Sequence, residues 1–251
     1  MTTYIYGRHP VFEALRAQKR AFERLLLGKD IQGDIVRRIE GLAQSLGVPI
    51  ERVDRKVLEE LVGKNAVHQG VVLLCGEKVT PSWKEILAKV KGTRDALVLF
   101  VDRVEDPRNL GAIIRTAAFF GVCGVIVSKA RSAPLDSRVV KAAAGGVEVS
   151  DVIQVNNFTE VVRAFREAGC TIVGLEEDGE VTLWEFDPGP FPIGLVVGGE
   201  NEGIRRIVRS LCDVVVCIPG RGSVPSLNVS VAAGIAIATL TQRRKMHGLQ
   251  G

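Results

Sequence analysis

Metal-ligand clusters, paired cysteines and long apolar runs are all missing from this chain of 251 residues, and each absence removes a class of function. The three histidines stand apart at positions 9, 68 and 247, and no His/Cys/Asp/Glu cluster has metal-ligand spacing, so no metal site is expected. Five cysteines, at 75, 123, 170, 212 and 217, are odd in number and lack C-x-x-C spacing. They read as reduced thiols of a cytoplasmic protein. The longest apolar runs are too short to span a bilayer and no signal peptide is expected, so no membrane association is expected. No G-x-G-x-x-G follows a strand: Gly220-x-Gly222 runs into Pro225, which argues against a dinucleotide-binding dehydrogenase. No fixed-period repeat is present. What remains is an ordinary globular composition, 46% hydrophobic and 25% charged. The net charge of +4 permits nucleic-acid binding without demanding it.

Three segments carry the chemistry. The first, Asn109 to Ala117, follows the apolar run Ala96 to Val101 and a polar turn, placing a helix start beyond a strand end with Asn109 as its N-cap. Arg115 lies nearly two turns on, among Ile113, Ile114 and Ala117, and needs an anionic partner there. The second is a buried-type strand, Leu195 to Val197, ending in Gly198, Gly199 and Glu200. Its glycines can let backbone lie against a ligand, and Glu200 can bind a cation, a hydroxyl or Arg115. The third runs from Ile218 and Pro219 through Gly220, Gly222 and Pro225 to Ser226, Leu227 and Asn228, an irregular loop entering an almost wholly apolar helix. Ser226 and Asn228 fall where they can cap that helix or point at a ligand in the loop.

Together these segments resemble the motifs of the SpoU (TrmH-like) ribose 2′-O-methyltransferases of the SPOUT superfamily. Asn109, Gly111, Arg115 and Ala117 match the first motif, Gly198-Gly199-Glu200 with Gly203 the second, and Ile218-Pro219 through Ser226-Leu227-Asn228 to Gly234 the third. Tyr6 to Leu15 and His68 to Val71 resemble signatures of a small N-terminal RNA-binding domain, as in the branch that methylates a guanosine of 23S ribosomal RNA. The resemblance implies a C-terminal α/β domain with a parallel sheet and a deep trefoil knot, a rare exception among protein chains. It implies bound S-adenosyl-L-methionine, held by Gly198, Gly199, Ile218, Pro219 and Leu227, with Arg115 as the activating residue oriented by Asn109, Glu200, Ser226 and Asn228. The implied partner is RNA, either ribosomal RNA or an assembly particle. A transfer-RNA methyltransferase of the same family and a non-catalytic RNA-binding relative are the alternatives. Retention of Arg115, Glu200 and Asn228 favours the enzyme.

Strand and helix patterns divide the chain into an α/β RNA-binding domain over 1–76, a linker over 77–95 and a methyltransferase domain over 96–251. Near-continuous apolar strands at 96–101, 124–128, 171–175, 194–197 and 214–218 alternate with helices, the pattern of a parallel sheet covered on both faces. The helix over 227–242 is apolar on two sides, Val229, Ala233, Ile237 and Leu240 on one and Val231, Ile235 and Ala238 on the other, which predicts a homodimer. Two basic groups, Arg8, Arg16, Lys19, Arg20 and Arg24, and Arg131, Arg138 and Lys141, are phosphate contacts or solvated faces. Arg205, Arg206 and Arg209, near the second motif, are expected to contact RNA.

Overall fold

Strand alternation sets up the first unit, which comprises residues up to Val79 together with Ala144–Val149. A computed structural model describes residues 3–91, 93–187, 189, 192–200 and 202–248, with side chains described to 242. Strands β1 (Thr3–Tyr6), β2 (Phe22–Gly28), β3 (Ile50–Val53) and β4 (Val71–Cys75) form a sheet in the order β1-β4-β2-β3, and helices α1 (Arg8–Ala17), α2 (Asp34–Ser45) and α3 (Arg55–Val62) connect them. In β4, Val71, Leu73 and Cys75 enter the larger core with Leu15 and Ile39, while Val72 and Leu74 pack on the opposite face with Leu58. That is the period-2 division of a strand covered on both sides.

His68, one of the three histidines, belongs to a turn of this unit. Its Nδ1 accepts from the Gly70 N–H at 3.1 Å, and Gly70 has φ +79. Burial, then the charge of Arg55, push the His68 pKa below its ordinary 6.5, against a smaller opposing pull from Glu59. A base with a depressed folded pKa binds more protons when unfolded, so the neutral ring's stabilisation is full above about 6.5 and is lost as pH falls below it. Urea midpoints should therefore drop between pH 7 and pH 5.5 in the wild type. His68→Gln should flatten that dependence, and an equal slope in both would rule the residue out as its source.

The second unit holds α4 (Trp83–Lys91), β5 (Leu97–Val101), α5 (Pro107–Phe119), β6 (Gly124–Ser128) and α6 (Ser137–Ala143). After α7 (Gly146–Val149), which belongs to the first unit, it continues with β7 (Val152–Val155), α8 (Phe158–Glu167), β8 (Thr171–Leu175), β9 (Val181–Thr182), β10 (Ile193–Val197), α9 (Arg206–Arg209), β11 (Val214–Cys217) and α10 (Val229–Gly248). Its seven strands pair in parallel in the order β7-β6-β5-β10-β8-β11-β9. Every residue of β5, β6 and β10 is buried, which is why these strands read as unbroken apolar runs. Phe100 of β5 makes edge-to-face contacts with Phe158 and Phe165 of α8.

The stretch 77–95, expected as a linker, contains α4, and α4 is part of the second core. Ile86 and Val90 are fully buried there, and a capping box starts the helix, with the Ser82 N–H donating to Glu85 Oε2 at 2.7 Å. Gly111 lets α5 and α6 approach closely: a Cβ at that position would lie 2.4 Å from the Ala142 Cβ and 2.9 Å from the Val139 carbonyl.

The segment 144–149 completes the first unit. Glu148 is buried and pairs with Arg20 through both oxygens, at 2.8 and 3.0 Å, while the Lys19 ammonium donates to the Val149 carbonyl at 3.0 Å. Elsewhere in the first basic group, Arg16 pairs with Glu13 and Arg24 with Glu51 in exposed pairs that leave both available to a phosphate, and the Arg8 guanidinium donates to the Gln69 carbonyl at 3.4 Å. Arg20, inside a buried pair, is unavailable to a phosphate without stranding Glu148.

Candidate active site

Sheet order decides where a site can form. From β5 the chain winds outward through β6 to β7, and the later strands fill the other side, so the order reverses between neighbouring β5 and β10. Crevices open beyond the C-terminal strand ends at such a reversal. The loops leaving β5, β10 and β11 carry the three segments singled out in the sequence.

Helix α5 starts earlier than expected. Asp106, rather than Asn109, is its N-cap, accepting from the Arg108 N–H at 2.7 Å, with Pro107 in the first turn. Proline's fixed φ and missing N–H suit that turn, so Asp-Pro outcompetes Asn109 as the start signal. The Arg108 guanidinium and its backbone N–H hold the Asp106 carboxyl below the usual carboxylate range.

Freed from capping, Asn109 joins the three loops. Its Nδ2 donates to Glu200 Oε1 at 2.7 Å, and its Oδ1 accepts from Asn228 Nδ2 at 3.1 Å. Asn228 caps α10, its Oδ1 accepting from the Ser230 N–H at 2.9 Å and the Ser230 hydroxyl at 2.6 Å. A carboxylate only accepts, so Glu200 sets the direction of the whole relay: Asn109 must turn its NH₂ to Glu200, which leaves its oxygen for Asn228.

Arg115 and Ser226 stand outside this relay. Arg115 lies six residues beyond Asn109, about 240° round the helix axis, and is exposed with no partner among the described residues. The Glu200 oxygen nearest α5 is taken by Asn109. Ser226 is exposed and likewise without a described partner; Asn228 alone of the two caps α10. Ile218 is half-buried, Pro219 exposed and Leu227 49% exposed, and a Cβ at Gly220 or Gly222 would meet nothing within 4 Å.

Gly198 and Gly199 are glycines because the chain folds onto itself there. A Cβ at Gly198 would lie 2.0 Å from the Gly203 carbonyl carbon, and one at Gly199 would lie 2.3 Å from the Arg103 carbonyl oxygen. Gly199 and Gly203 exchange backbone hydrogen bonds at 3.2 and 3.1 Å, closing a tight loop that presents Glu200. Of the glycines in the second and third segments, those with open space at the Cβ position are 220 and 222.

Two acids that escape notice in the sequence brace this loop. Asp102, fully buried after β5, holds the Arg205 guanidinium at 2.8 Å, and Glu176, after β8, accepts from the Ile204 N–H at 2.8 Å and pairs with Arg209. Their only sequence signal is their place, an acid following an apolar strand. Arg209 also pairs with Asp178 at 2.8 Å, and its guanidinium holds the Asp178 carboxyl below the usual range. Arg205 and Arg209, expected at RNA, are thus each held by acids of the chain, and Arg206 alone of the three is exposed without a described partner.

Comparison with known proteins shows the family. Residues 96–238 match the profile of the SpoU rRNA Methylase family, and residues 4–81 match RNA 2′-O ribose methyltransferase substrate binding. A Mycolicibacterium vanbaalenii protein named uncharacterized tRNA/rRNA methyltransferase is 36% identical over 246 residues, covering 97% of this chain and 77% of its own. Among solved structures, the SpoU methyltransferase AviRb from Streptomyces viridochromogenes, in complex with AdoMet, superposes with a TM-score of 0.77 at 26% identity, covering 97% of this chain and 91% of that one. The A. aeolicus TrmH/SpoU tRNA modifying enzyme gives a TM-score of 0.54 at 26% identity, covering 66% of this chain and 86% of that one.

Proposed function

Because the chain belongs to the SpoU family of S-adenosyl-L-methionine-dependent RNA methyltransferases, we propose that it methylates a ribose 2′-hydroxyl of 23S ribosomal RNA, at a guanosine. The observation that carries an enzymatic reading is the relay Glu200–Asn109–Asn228, which ties three loops together beyond the strand ends. A ribosomal substrate, free or in an assembly particle, is supported by the substrate-binding match over 4–81 and by the shorter 66% coverage of the tRNA-modifying neighbour. The guanosine rests on the likeness of residues 6–15 and 68–71 to that branch.

The third-motif loop suits the cofactor. Residues 219–227 are exposed, Gly220 and Gly222 have open space where side chains would stand, and Leu227 offers an apolar face to a purine. Ile218 and Pro219 lead into that loop, and the Gly198–Gly199 turn contributes backbone. S-adenosyl-L-methionine bound there would supply an electrophilic methyl group for the ribose oxygen. The protein's part is to place the hydroxyl in line and ease loss of its proton. Arginine is almost never deprotonated, so Arg115 acts as a cation: it holds the RNA phosphate and stabilises the developing alkoxide. The relay fixes the loops against which the ribose is set.

Mapping 2′-O-methyl groups in RNA from cells lacking the protein tests this function. Loss at one guanosine of 23S ribosomal RNA is expected. Loss confined to transfer RNA would replace the ribosomal substrate, and an unchanged map would overturn the function.

A homodimer is part of the same reading. Ala233, Ala236, Ile237 and Leu240 are buried within the subunit, which leaves Val231, 49% exposed, with half-buried Ile235 and Ala238 on the other side of α10, and Phe119, 82% exposed, on α5. Pairing that surface across a two-fold axis would cover it. Val231→Lys should give monomers by light scattering and weaker cofactor binding. A wild-type monomer with full activity at micromolar concentration would defeat the dimer.

A further inference from the structure

Within the loop of the second motif, two arginines from other loops converge on one exposed acid. Arg103 reaches Glu202 at 2.5 Å and Arg131 reaches its other oxygen at 3.1 Å. Both have left-handed backbone, φ 61 and φ 55, a conformation that favours glycine and costs a side-chain-bearing residue energy. Such outliers persist where the surroundings hold them and cluster at functional sites. The two loops are stitched together by the Ala133 N–H donating to the Val104 carbonyl at 2.9 Å. Arg131 lines an open depression of about 530 Å³ together with Glu105, Ser132, Ala133 and Pro134. The Ser132 hydroxyl, on the lining of the depression, and the Arg103 Nε, beside Glu202, are buried without a hydrogen-bond partner among the described residues, so each is an unused donor. Glu105, exposed on the same wall, adds an unused acceptor.

We propose that this depression is a nucleotide subsite for the RNA substrate, and that Arg131 on its lining, with Arg103 beside it across their shared acid, exchanges Glu202 for a backbone phosphate. The inference rests on the RNA methyltransferase reading and adds to it a specific contact. Exposed ion pairs are weak, and Glu202 is 58% exposed, so it can be released to water at little cost. An arginine fork matches phosphate geometry, and the Ser132 hydroxyl can donate to the same group. Glu105 tilts the site towards a ligand bearing both an anion and a donor. A nucleotide unit, with its phosphate and its ribose hydroxyl or base N–H, has both, whereas inorganic phosphate lacks the donor at that reach. Glu202 holds the arginines in place while RNA is absent.

The test uses the full-length protein with an unmodified 23S ribosomal RNA transcript, measuring steady-state methyl transfer, the salt dependence of RNA binding, and S-adenosyl-L-methionine affinity by calorimetry. Arg131→Gln should raise KM for RNA about tenfold, with the loss carried by KM rather than kcat. It should also flatten the slope of log affinity against log salt by about 0.7 to 0.9. Glu202→Gln should shift both in the opposite direction, lowering KM severalfold. Arg103→Gly should weaken RNA binding while its melting temperature holds or rises, because glycine relieves the left-handed backbone. Cofactor affinity should be unchanged in all three.

Weaker RNA binding in Glu202→Gln would make the trio a structural bridge and overturn the subsite. Loss of cofactor affinity in Arg131→Gln would assign the depression to the cofactor's carboxylate and also overturn it. Wild-type transfer to the transcript with unaltered RNA kinetics in all three variants would sink the subsite alone. No transfer by the wild type to 23S or transfer RNA would sink the function and the subsite together.

Discussion

Arg115→Ala should cut methyl transfer by at least about a hundredfold while leaving the fold and cofactor affinity in place, if one cation both positions the RNA and stabilises the attacking oxygen. The structure makes this a clean experiment. Arg115 is exposed on α5 with no partner among the described residues, so truncating it strands no buried charge and opens no cavity. Its neighbours Ile113, Ile114 and Ala117 are fully buried and hold the helix without it. Turnover with labelled cofactor and ribosomal RNA, beside a thermal melt and calorimetric binding of S-adenosyl-L-methionine, separates the outcomes. Turnover within a few fold of wild type would remove Arg115 from the chemistry. Arg115→Lys should recover little, since an ammonium cannot reproduce two-pronged phosphate binding.

Gly198→Ala should damage the protein through backbone alone. The added methyl would stand 2.0 Å from the Gly203 carbonyl carbon and 2.3 Å from the Ile204 nitrogen, neither the movable end of a side chain. The Gly199–Gly203 closure must open, costing about 1 to 3 kcal/mol of stability as an overpacked site. Glu200 leaves its place opposite Asn109, and a displacement on the order of 1 Å there can cost about a hundredfold in rate. Gly220→Ala is the control, because its methyl would meet nothing within 4 Å and its φ is not left-handed. Denaturant midpoints should fall for the first variant and not for the second. Equal stability in both would mean that the loop tolerates the methyl and that Glu200 is positioned by other contacts.

Long buried strands were legible because their chemistry is uniform. β5, β6, β8, β10 and β11 fall within a residue of the expected spans, each an apolar run bounded by polar residues. β7 and β9 were not anticipated: β7 has four residues, mostly half-buried, at the sheet edge, and β9 has only two, too short for either period to register. α9 starts only at Arg206, because Gly203 adopts φ +61 and Arg205 is non-helical. At the site, Asn109, Glu200 and Asn228 were legible as polar residues at strand and helix ends. That they bond to one another was not, since positions separated by 91 and 119 residues are joined only by the sheet. The partners of the arginines were hidden for a related reason. Arg205 and Arg209 look like free cations in one dimension, and Asp102 and Glu176, which neutralise them, lie far off in sequence.

The short segment 144–149 has a bearing on how the chain is made. When synthesis has passed Val79, the first unit has its four strands and three helices, but Arg20 still lacks Glu148, 128 residues ahead. The nascent domain must therefore wait, incomplete, while β5, α5, β6 and α6 are translated. At about 5 to 20 residues per second that delay lasts several seconds, long compared with the folding of a small domain. The amino-terminal unit thus begins folding first and finishes only after the middle of the chain has left the ribosome. A chain stalled near Ala143 would hold Arg20 without the acid that neutralises it in the finished unit.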